Sequence, residues 1–140
     1  MKLKLKLTIA IVLLFTGFSF AQNADLIIGK YRLPNNLDIE IFRQDGKFFG
    51  KIIALNNYEN GEERDVKNGD SSKRNDLLLG KLIIKNLEYD AEENTWINGE
   101  MYGPDKGINV NLKITEVLEN EIIVIGSKYI MRKTLTWKKL

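Results

Sequence analysis

From residue 29 onward, apolar and polar residues alternate with a period of two far more often than with the 3.6-residue period of a helix. The clearest example is the segment 108–115, whose even-numbered residues are all apolar and whose odd-numbered residues are all polar. Such alternation is typical of a strand with one buried face and one solvated face. The pattern predicts a β domain.

Turn residues recur every 8 to 12 residues and divide this region into eight predicted strands, at about 28–32, 37–44, 47–55, 82–89, 95–102, 108–115, 121–128 and 131–138. Asp45-Gly46 separates the second and third strands, and both central positions of a two-residue hairpin turn favour such residues. Strands joined in order by short turns bury their apolar faces most simply by closing on themselves. We therefore predict an all-β fold, an eight-stranded antiparallel up-and-down barrel; a flattened or partly open barrel is the alternative.

Two features interrupt the strand pattern. Gly50 and Gly99 lie inside predicted strands, where glycine commonly marks a bulge or a sharp bend. The polar segment 56–76 has no strand period, and a connection of this length in a compact domain is usually a lid, a binding loop or a disordered segment. One short helix is expected over 71–79, since serine can cap its start.

The N-terminus has the pattern of a secretory signal peptide. Three lysines precede an apolar run of 14 residues, which ends in a small-residue cleavage site after Ala21. A helix that spans a bilayer needs about 20 apolar residues, so no stable membrane anchor is expected after cleavage. The sequence predicts a signal peptide at 1–21, a single β-barrel domain at 22–140, and a periplasmic or secreted location.

The net charge of the domain limits its partners, and its cysteine content limits its covalent cross-links. The whole chain has a formal charge of +2, and the three lysines of the predicted signal peptide leave −1 for the remainder. With no net positive charge left and the lysines scattered along the sequence, a nucleic-acid partner is not expected. The chain has no cysteine, so burial and backbone pairing must hold the domain together without disulfides.

The reactive side chains of the common hydrolases are missing. Without histidine or cysteine, the Ser-His-Asp and Cys-His arrangements and most zinc sites are excluded. Acidic residues in the long polar segment leave carboxylate catalysis and calcium binding as alternatives; they are Glu62, Glu63, Asp65 and Asp70. We predict no catalytic residue, no metal site and no cofactor.

Aromatic residues fall on the strand patterns and are expected mainly in the core; they are Phe48, Phe49, Trp96, Tyr102, Tyr129 and Trp137. Alternatively, several of them line a cavity inside the barrel. The interior of an eight-stranded barrel is either filled by side chains or just wide enough for one small ligand.

Seven short segments, read in order, carry a family resemblance: Gly29-Lys30-Tyr31, residues 45–52, residues 65–68 with Asp70 and Arg74, Leu79-Gly80, Trp96 with Gly99, Tyr102 with Pro104 and Gly107, and Thr136-Trp137. Together they resemble a family of small exported bacterial proteins known as domain-of-unknown-function family 2147. The resemblance implies a lipocalin-like, calycin-type barrel and no established activity. It also implies that Lys139 packs over Tyr31, although tyrosine and lysine replace the tryptophan and arginine of such barrels. The family loop usually has Asn-Pro where this chain has Asn68-Gly69.

Five residues are the predicted ligand-binding set: Asp65, Asn68, Arg74, Trp96 and Tyr102. The three loop residues either form the rim of a binding site or fasten the loop across the barrel mouth. We expect an exported protein that binds a small apolar molecule inside the barrel. The alternative is an envelope protein-interaction or accessory module with a solid core and no ligand; an enzyme that uses carboxylates alone ranks third.

Overall fold

The computed structural model describes residues 23–58 and 62–140, so the predicted signal peptide lies outside the described residues. Eight strands are present: β1 (Gly29–Arg32), β2 (Asp38–Gln44), β3 (Lys47–Ala54), β4 (Leu82–Asp90), β5 (Thr95–Gly103), β6 (Ile108–Val117), β7 (Glu121–Lys128) and β8 (Met131–Lys139). Each strand pairs antiparallel with the next, and β8 returns to β1 through Tyr31↔Lys139 and Arg32↔Lys138. The prediction of a closed, eight-stranded up-and-down barrel is confirmed.

Because successive strands run in opposite directions, their connections alternate between two ends of the barrel. The loop end carries the connections 33–37, 55–81, 104–107 and 129–130. The closed end carries the turns 45–46, 91–94 and 118–120 together with the chain that leads into β1. The long polar segment therefore lies at the loop end.

The predicted hairpin at Asp45-Gly46 is present between β2 and β3. Asp45 has a φ of 52° and Gly46 a φ of 76°, and Gln44 pairs with Lys47 across the turn. These are the left-handed conformations that an Asp-Gly pair adopts at low cost.

Glycines allow the strands to bend where the barrel is most tightly packed. The β3–β4 register shifts on both sides of Gly50, and the β5–β6 register shifts between Trp96 and Gly99. A Cβ atom at Gly50 would lie 2.8 Å from Cδ1 of Ile84, and one at Gly99 would lie 2.5 Å from Cδ2 of Leu87. The bulges expected at both glycines are confirmed.

The core is filled by large side chains. Phe48, Trp96 and Trp137 are buried, as predicted for aromatics on the strand pattern, and Tyr31 joins them. Tyr129 was expected with this group, but it lies in the β7–β8 turn with 94% of its surface exposed. That prediction is wrong because Tyr129 lies between the two strands, in the turn that joins them, and its side chain does not face the core.

A short 3-10 helix (Asp25–Ile27) covers the closed end. The indole Nε1 of Trp96 donates to the carbonyl of Ala24 at 2.9 Å, and the Tyr31 hydroxyl donates to the carbonyl of Ile27 at 2.8 Å. Burial raises the pKa of Tyr31 to about 12. The ammonium of Lys139 does not cap Tyr31 as the resemblance implied; it donates to the carbonyl of Leu118 at 2.6 Å.

The helix expected over 71–79 is a single 3-10 turn (Ser71–Lys73). Asp70, rather than a serine, caps it by accepting from the backbone N–H of Ser72 at 3.0 Å. The chain then becomes extended because it pairs with the opposite arm of the loop: Leu78 N–H donates to the carbonyl of Glu63 at 2.9 Å. Within 23–58 and 62–140, no helix has the length and apolar content to cross a membrane.

Candidate functional site

The long loop is anchored to the barrel by one buried carboxylate, Asp65. Only 1% of its surface is exposed. Tyr102, on β5, donates its hydroxyl to Oδ1 at 2.5 Å, while Asn68 Nδ2 donates to Oδ2 at 2.7 Å. Lys81 Nζ lies 3.0 Å from Oδ2 and completes the set. Both carboxylate oxygens therefore have partners.

The backbone around Asp65 explains how the loop presents it. Its N–H donates to the carbonyl of Asp76 at 2.9 Å, and its own carbonyl accepts from the N–H of Asn68 at 3.1 Å. Arg74 Nε donates to the carbonyl of Asn68 at 2.8 Å. The loop is thus a paired hairpin-like arm closed by a turn, and the turn places Asn68 beside the carboxylate.

The contacts also set the protonation states at this position. Burial pulls the pKa of Asp65 upward, but the hydrogen bonds from Tyr102, Asn68 and Lys81 outweigh it, so the pKa lies below its usual value. Burial, followed by the hydrogen bond to Asp65, raises the pKa of Tyr102. Asp65 is therefore charged and Tyr102 neutral near pH 7, which suits a fixed structural pair better than proton transfer.

Four of the five predicted site residues meet here: Asp65, Asn68, Arg74 and Tyr102. Trp96 does not, because it lies at the closed end with its indole hydrogen-bonded to Ala24. The internal hydrogen bonds of the four favour the fastening role over the rim role. A direct contact of any of them with a ligand stays a prediction.

Lys81 is the member of the cluster that the sequence did not indicate. Lys81 immediately precedes β4, at the end of a polar segment. A lysine is common in such a position, so the sequence alone gives no reason to pair it with Asp65. In the fold, its ammonium lies 5.7 Å from the centre of the Tyr102 ring and 3.6 Å from Oδ2 of Asp76. Its side chain is mostly buried by these contacts.

A second set of hydrogen bonds covers part of the loop end. Asn35 Nδ2 donates to both carboxylate oxygens of Asp105, at 3.2 and 3.3 Å, and the Tyr58 hydroxyl also donates to Asp105. Lys67 Nζ donates to the carbonyl of the same residue at 2.9 Å. The β5–β6 turn is thereby joined to the β1–β2 connection and to the long loop.

The other side of the loop end is less filled. Along β5 to β8, the interior-facing apolar positions near this end are only partly buried: Met101, Ile108, Val110, Gly126 and Leu135. On the same four strands, the interior positions near the closed end are fully buried: Trp96, Ile114, Ile122 and Trp137. A Cβ atom at Gly126 would lie 3.8 Å from Cγ2 of Val110, so this site has room that Gly50 and Gly99 lack. We call this half-filled region the loop-end mouth.

Two open depressions lie on the outside of the barrel. One, of about 580 Å³, separates the long loop from the outer face of β4 to β6 and includes Asn68, Lys81 and Tyr102. The other, of about 740 Å³, follows β5 to β7 to the β7–β8 turn; its charged lining residues are Lys113 and Arg132, and Ile97 and Ile125 contribute apolar surface. We call the second depression the outer groove.

The arrangement provides little for metal or acid-base chemistry. Among the described residues, no group of three histidine, cysteine or acidic side chains is placed to hold a metal ion. Asp65, Asn68 and Asp70 use their side-chain oxygens within the loop, where Asn68 accepts from the N–H of Asp70 at 2.9 Å. What the site offers is a fixed loop beside a partly apolar opening.

A comparison with protein families identifies one that matches this chain. The family described as "Uncharacterized protein conserved in bacteria (DUF2147)" matches residues 29–139, which include all eight strands. The chain belongs to this family. The DUF2147 match covers both the loop that carries Asp65 and the strands that form the loop-end mouth.

A solved structure has a similar fold. Protein HP1028 from Helicobacter pylori, described as belonging to the lipocalin family, is 21% identical and superimposes with a TM-score of 0.71 over 81% of this chain and 82% of that chain. No curated protein matches the chain. This DUF2147 member therefore has a lipocalin-like barrel.

Proposed function

We propose that this DUF2147 member is an exported binding protein that holds a small, largely apolar molecule at the loop-end mouth. The observation that carries the proposal is the difference in burial along β5 to β8. Interior positions at the closed end are sealed, whereas Val110, Gly126 and Leu135 remain partly accessible. The pattern of residues 1–21 supports export.

The packing decides how deep the ligand sits. Neither Gly50 nor Gly99 has space for one additional carbon atom, and both lie against interior side chains. A molecule in the half of the barrel near the closed end would have to displace Trp96 or Trp137, and well-packed interiors resist such changes. The ligand therefore occupies the half near the loop end, between β6, β7 and β8.

The polar surroundings favour an amphipathic ligand. Lys133 pairs with Gly126 and lies on the same face of β8 as the interior residues Leu135 and Trp137. It is exposed and nearer the loop end than Leu135, so it brings a positive charge to the entrance of the mouth. Ligand sites of this kind combine an apolar lining with a few polar groups that orient the molecule. A short acyl chain or aromatic ring with an anionic head fits this arrangement.

The experiment uses the protein as recovered from the envelope of a bacterial host, with its N-terminus established by intact mass. Native mass spectrometry detects any co-purifying molecule, and anilinonaphthalene sulfonate serves as the titration probe. Val110→Trp fills the mouth, while Thr134→Trp adds the same side chain on the exposed outer face of β8. We expect saturable binding of one probe per chain, weakened about tenfold or more by V110W and unchanged by T134W.

A solid barrel that acts only through its surface is the second candidate, favoured by the tight packing around Gly99. It predicts no co-purifying molecule and no saturable probe binding in the unmodified protein. It also predicts that V110W and the unmodified protein recover the same stoichiometric protein partner. Those results together would replace the binding proposal.

A further inference from the structure

The β7–β8 turn presents the most exposed apolar side chains of the described structure. Tyr129 is 94% exposed, Ile130 97% and Met131 72%, whereas the next most exposed large apolar residue, Leu140, is 59%. The turn contains only two residues, because Lys128 and Met131 already pair. Single exposed apolar residues are common, but a cluster of three at a projecting tip indicates an interaction site.

The backbone of this turn is strained for its sequence. Among the described residues, eight residues other than glycine have positive φ, and seven of them are asparagine or aspartate. The exception is Tyr129, with a φ of 55°. A bulky aromatic is disfavoured in this conformation, whereas asparagine or aspartate at the same position would relieve the strain and improve solubility. Strain retained in an exposed turn is a mark of function rather than of folding.

Positive charge surrounds the tip. Lys128, Arg132 and Lys133 flank the three apolar residues, and residues 122–140 contain five lysines and arginines with no acidic residue. In the part of the chain that the structure describes, none of the ion pairs includes these three cations. Lys128 instead lies over the Tyr129 ring, with Nζ 5.9 Å from its centre. The cations are available to an external anionic partner.

We propose that the β7–β8 turn docks the protein on an anionic lipid bilayer. Tyrosine is favoured at the headgroup level, and lysine and arginine can place their charges beside lipid phosphates while their stems lie in apolar surroundings. Ile130 and Met131 then enter the boundary of the acyl region. The outer groove continues this surface, since Lys113 and Arg132 line it and no carboxylate does.

The size of the tip favours a bilayer over a folded protein. A stable protein interface buries about 800 Å² on each partner, which is more than three side chains at a turn provide. A second copy of the chain would also bring the same three cations against each other. A bilayer needs no complementary pocket and supplies negative charge. Docking by the turn does not require that the loop-end mouth hold a ligand.

The test compares cosedimentation with vesicles of phosphatidylcholine alone and with vesicles that also contain phosphatidylglycerol. The unmodified protein and every variant carry the same N-terminus, verified by intact mass, so that residues 1–21 cannot produce a difference. The first variant combines Tyr129→Gly and Ile130→Asn, which removes the two most exposed apolar side chains of the tip and relieves the strain of a bulky residue at positive φ. Its melting temperature should therefore be equal or higher, so that misfolding does not explain a loss of binding.

We expect binding to the anionic vesicles only, and on the order of a tenfold or greater loss for the Y129G/I130N variant. Exchanging Arg132 and Lys133 for glutamine should weaken binding by about fivefold for each charge removed. Leu118→Asn, at the opposite end of the barrel, is the matched control and should bind as the unmodified protein does. Equal vesicle binding by Y129G/I130N and the unmodified protein overturns the proposal. So does a result in which the Y129G/I130N substitutions alter self-association of the protein, measured without vesicles, but not its binding to vesicles.

Discussion

The hydroxyl of Tyr102 donates a hydrogen bond of 2.5 Å to the buried carboxylate of Asp65 and thereby joins β5 to the long loop. Tyr102 follows Met101, whose side chain belongs to the loop-end mouth. The fastening contact and the proposed binding region therefore share a strand, and the contact positions the loop beside the mouth. The stability of the loop is the first quantity to measure.

Tyr102→Phe removes the donor and leaves Oδ1 of Asp65 without its partner. We expect the free energy of unfolding to fall by about 1–3 kcal/mol, because a buried acceptor loses its hydrogen bond. Tyr89→Phe is the matched control: its hydroxyl bonds to exposed Asn94 at 2.7 Å, so the loss should be below about 0.5 kcal/mol. Chemical denaturation measures both. Equal losses would show that the Asp65 contact adds no stability.

The lowered pKa of Asp65 makes the stability of the loop pH-dependent. The charged carboxylate stabilises the fold at pH above its ordinary pKa of 3.8, and this contribution declines as the pH falls through the lower folded-state pKa. Near pH 7, Asp65→Asn should cost about 3 kcal/mol, because Lys81 loses its buried partner. The difference between the two proteins should shrink below pH 3.8.

Asp38 provides the comparison for this titration. The hydrogen bond from Arg32 is the main cause of its lowered pKa, and that arginine is largely exposed. Asp38→Asn should therefore show a smaller pH-dependent loss than D65N, since solvent screens the exposed partner. Denaturation curves from pH 7 to pH 2 contradict this account if the D65N difference stays constant throughout.

Gly99 should tolerate no side chain. In Gly99→Ala the new Cβ would lie 2.5 Å from Leu87 Cδ2 and 2.9 Å from the carbonyl oxygen of Leu112, and the second atom belongs to the backbone. We expect a loss of about 1–3 kcal/mol from overpacking. Gly69→Ala, with no atom within 4 Å of the new Cβ, should change stability by less than about 0.5 kcal/mol. Similar melting temperatures for the two variants would argue against a packed interior.

Tyr129→Asn tests the strain in the β7–β8 turn independently of lipid. Asparagine tolerates the left-handed conformation, so the variant should be more stable by about 0.5–1 kcal/mol. Ile130→Asn removes a comparable apolar surface without relief of a positive φ and should leave stability nearly unchanged. A fall in the melting temperature of Y129N would show that the tyrosine contributes to folding.

Much of the fold was predictable because the alternation of apolar and polar residues and the positions of turn residues indicate the same strands along most of the chain. The Asp45-Gly46 turn and the strand Ile108–Val117 are examples in which local preference and final structure coincide. The expectation that Tyr129 packs in the core failed, because Tyr129 is a turn residue with positive φ although such positions are usually glycine, asparagine or aspartate. Such a disagreement between local preference and structure is expected at functional positions.

The candidate site was predictable only in part. Asp65 and Asn68 lie close in sequence, so a shared role followed from the loop itself. Lys81 meets them only because the arms of the loop pair, and no local pattern reports that pairing. Trp96 was grouped with the site as a strand aromatic, yet it lies at the start of β5 and Tyr102 at its end, so the length of the strand separates them. The predicted strand 95–102 already implied this separation, and grouping the two residues overlooked it.

The central claim, that the loop-end mouth binds a small apolar molecule, is tested most directly by titrating isotope-labelled protein with anilinonaphthalene sulfonate and following backbone amide resonances. We predict saturable shifts that are largest at Val110, Gly126 and Leu135, with the indole resonances of Trp96 and Trp137 unchanged. The absence of saturable shifts at these three positions, or shifts centred on the closed end, would contradict the account.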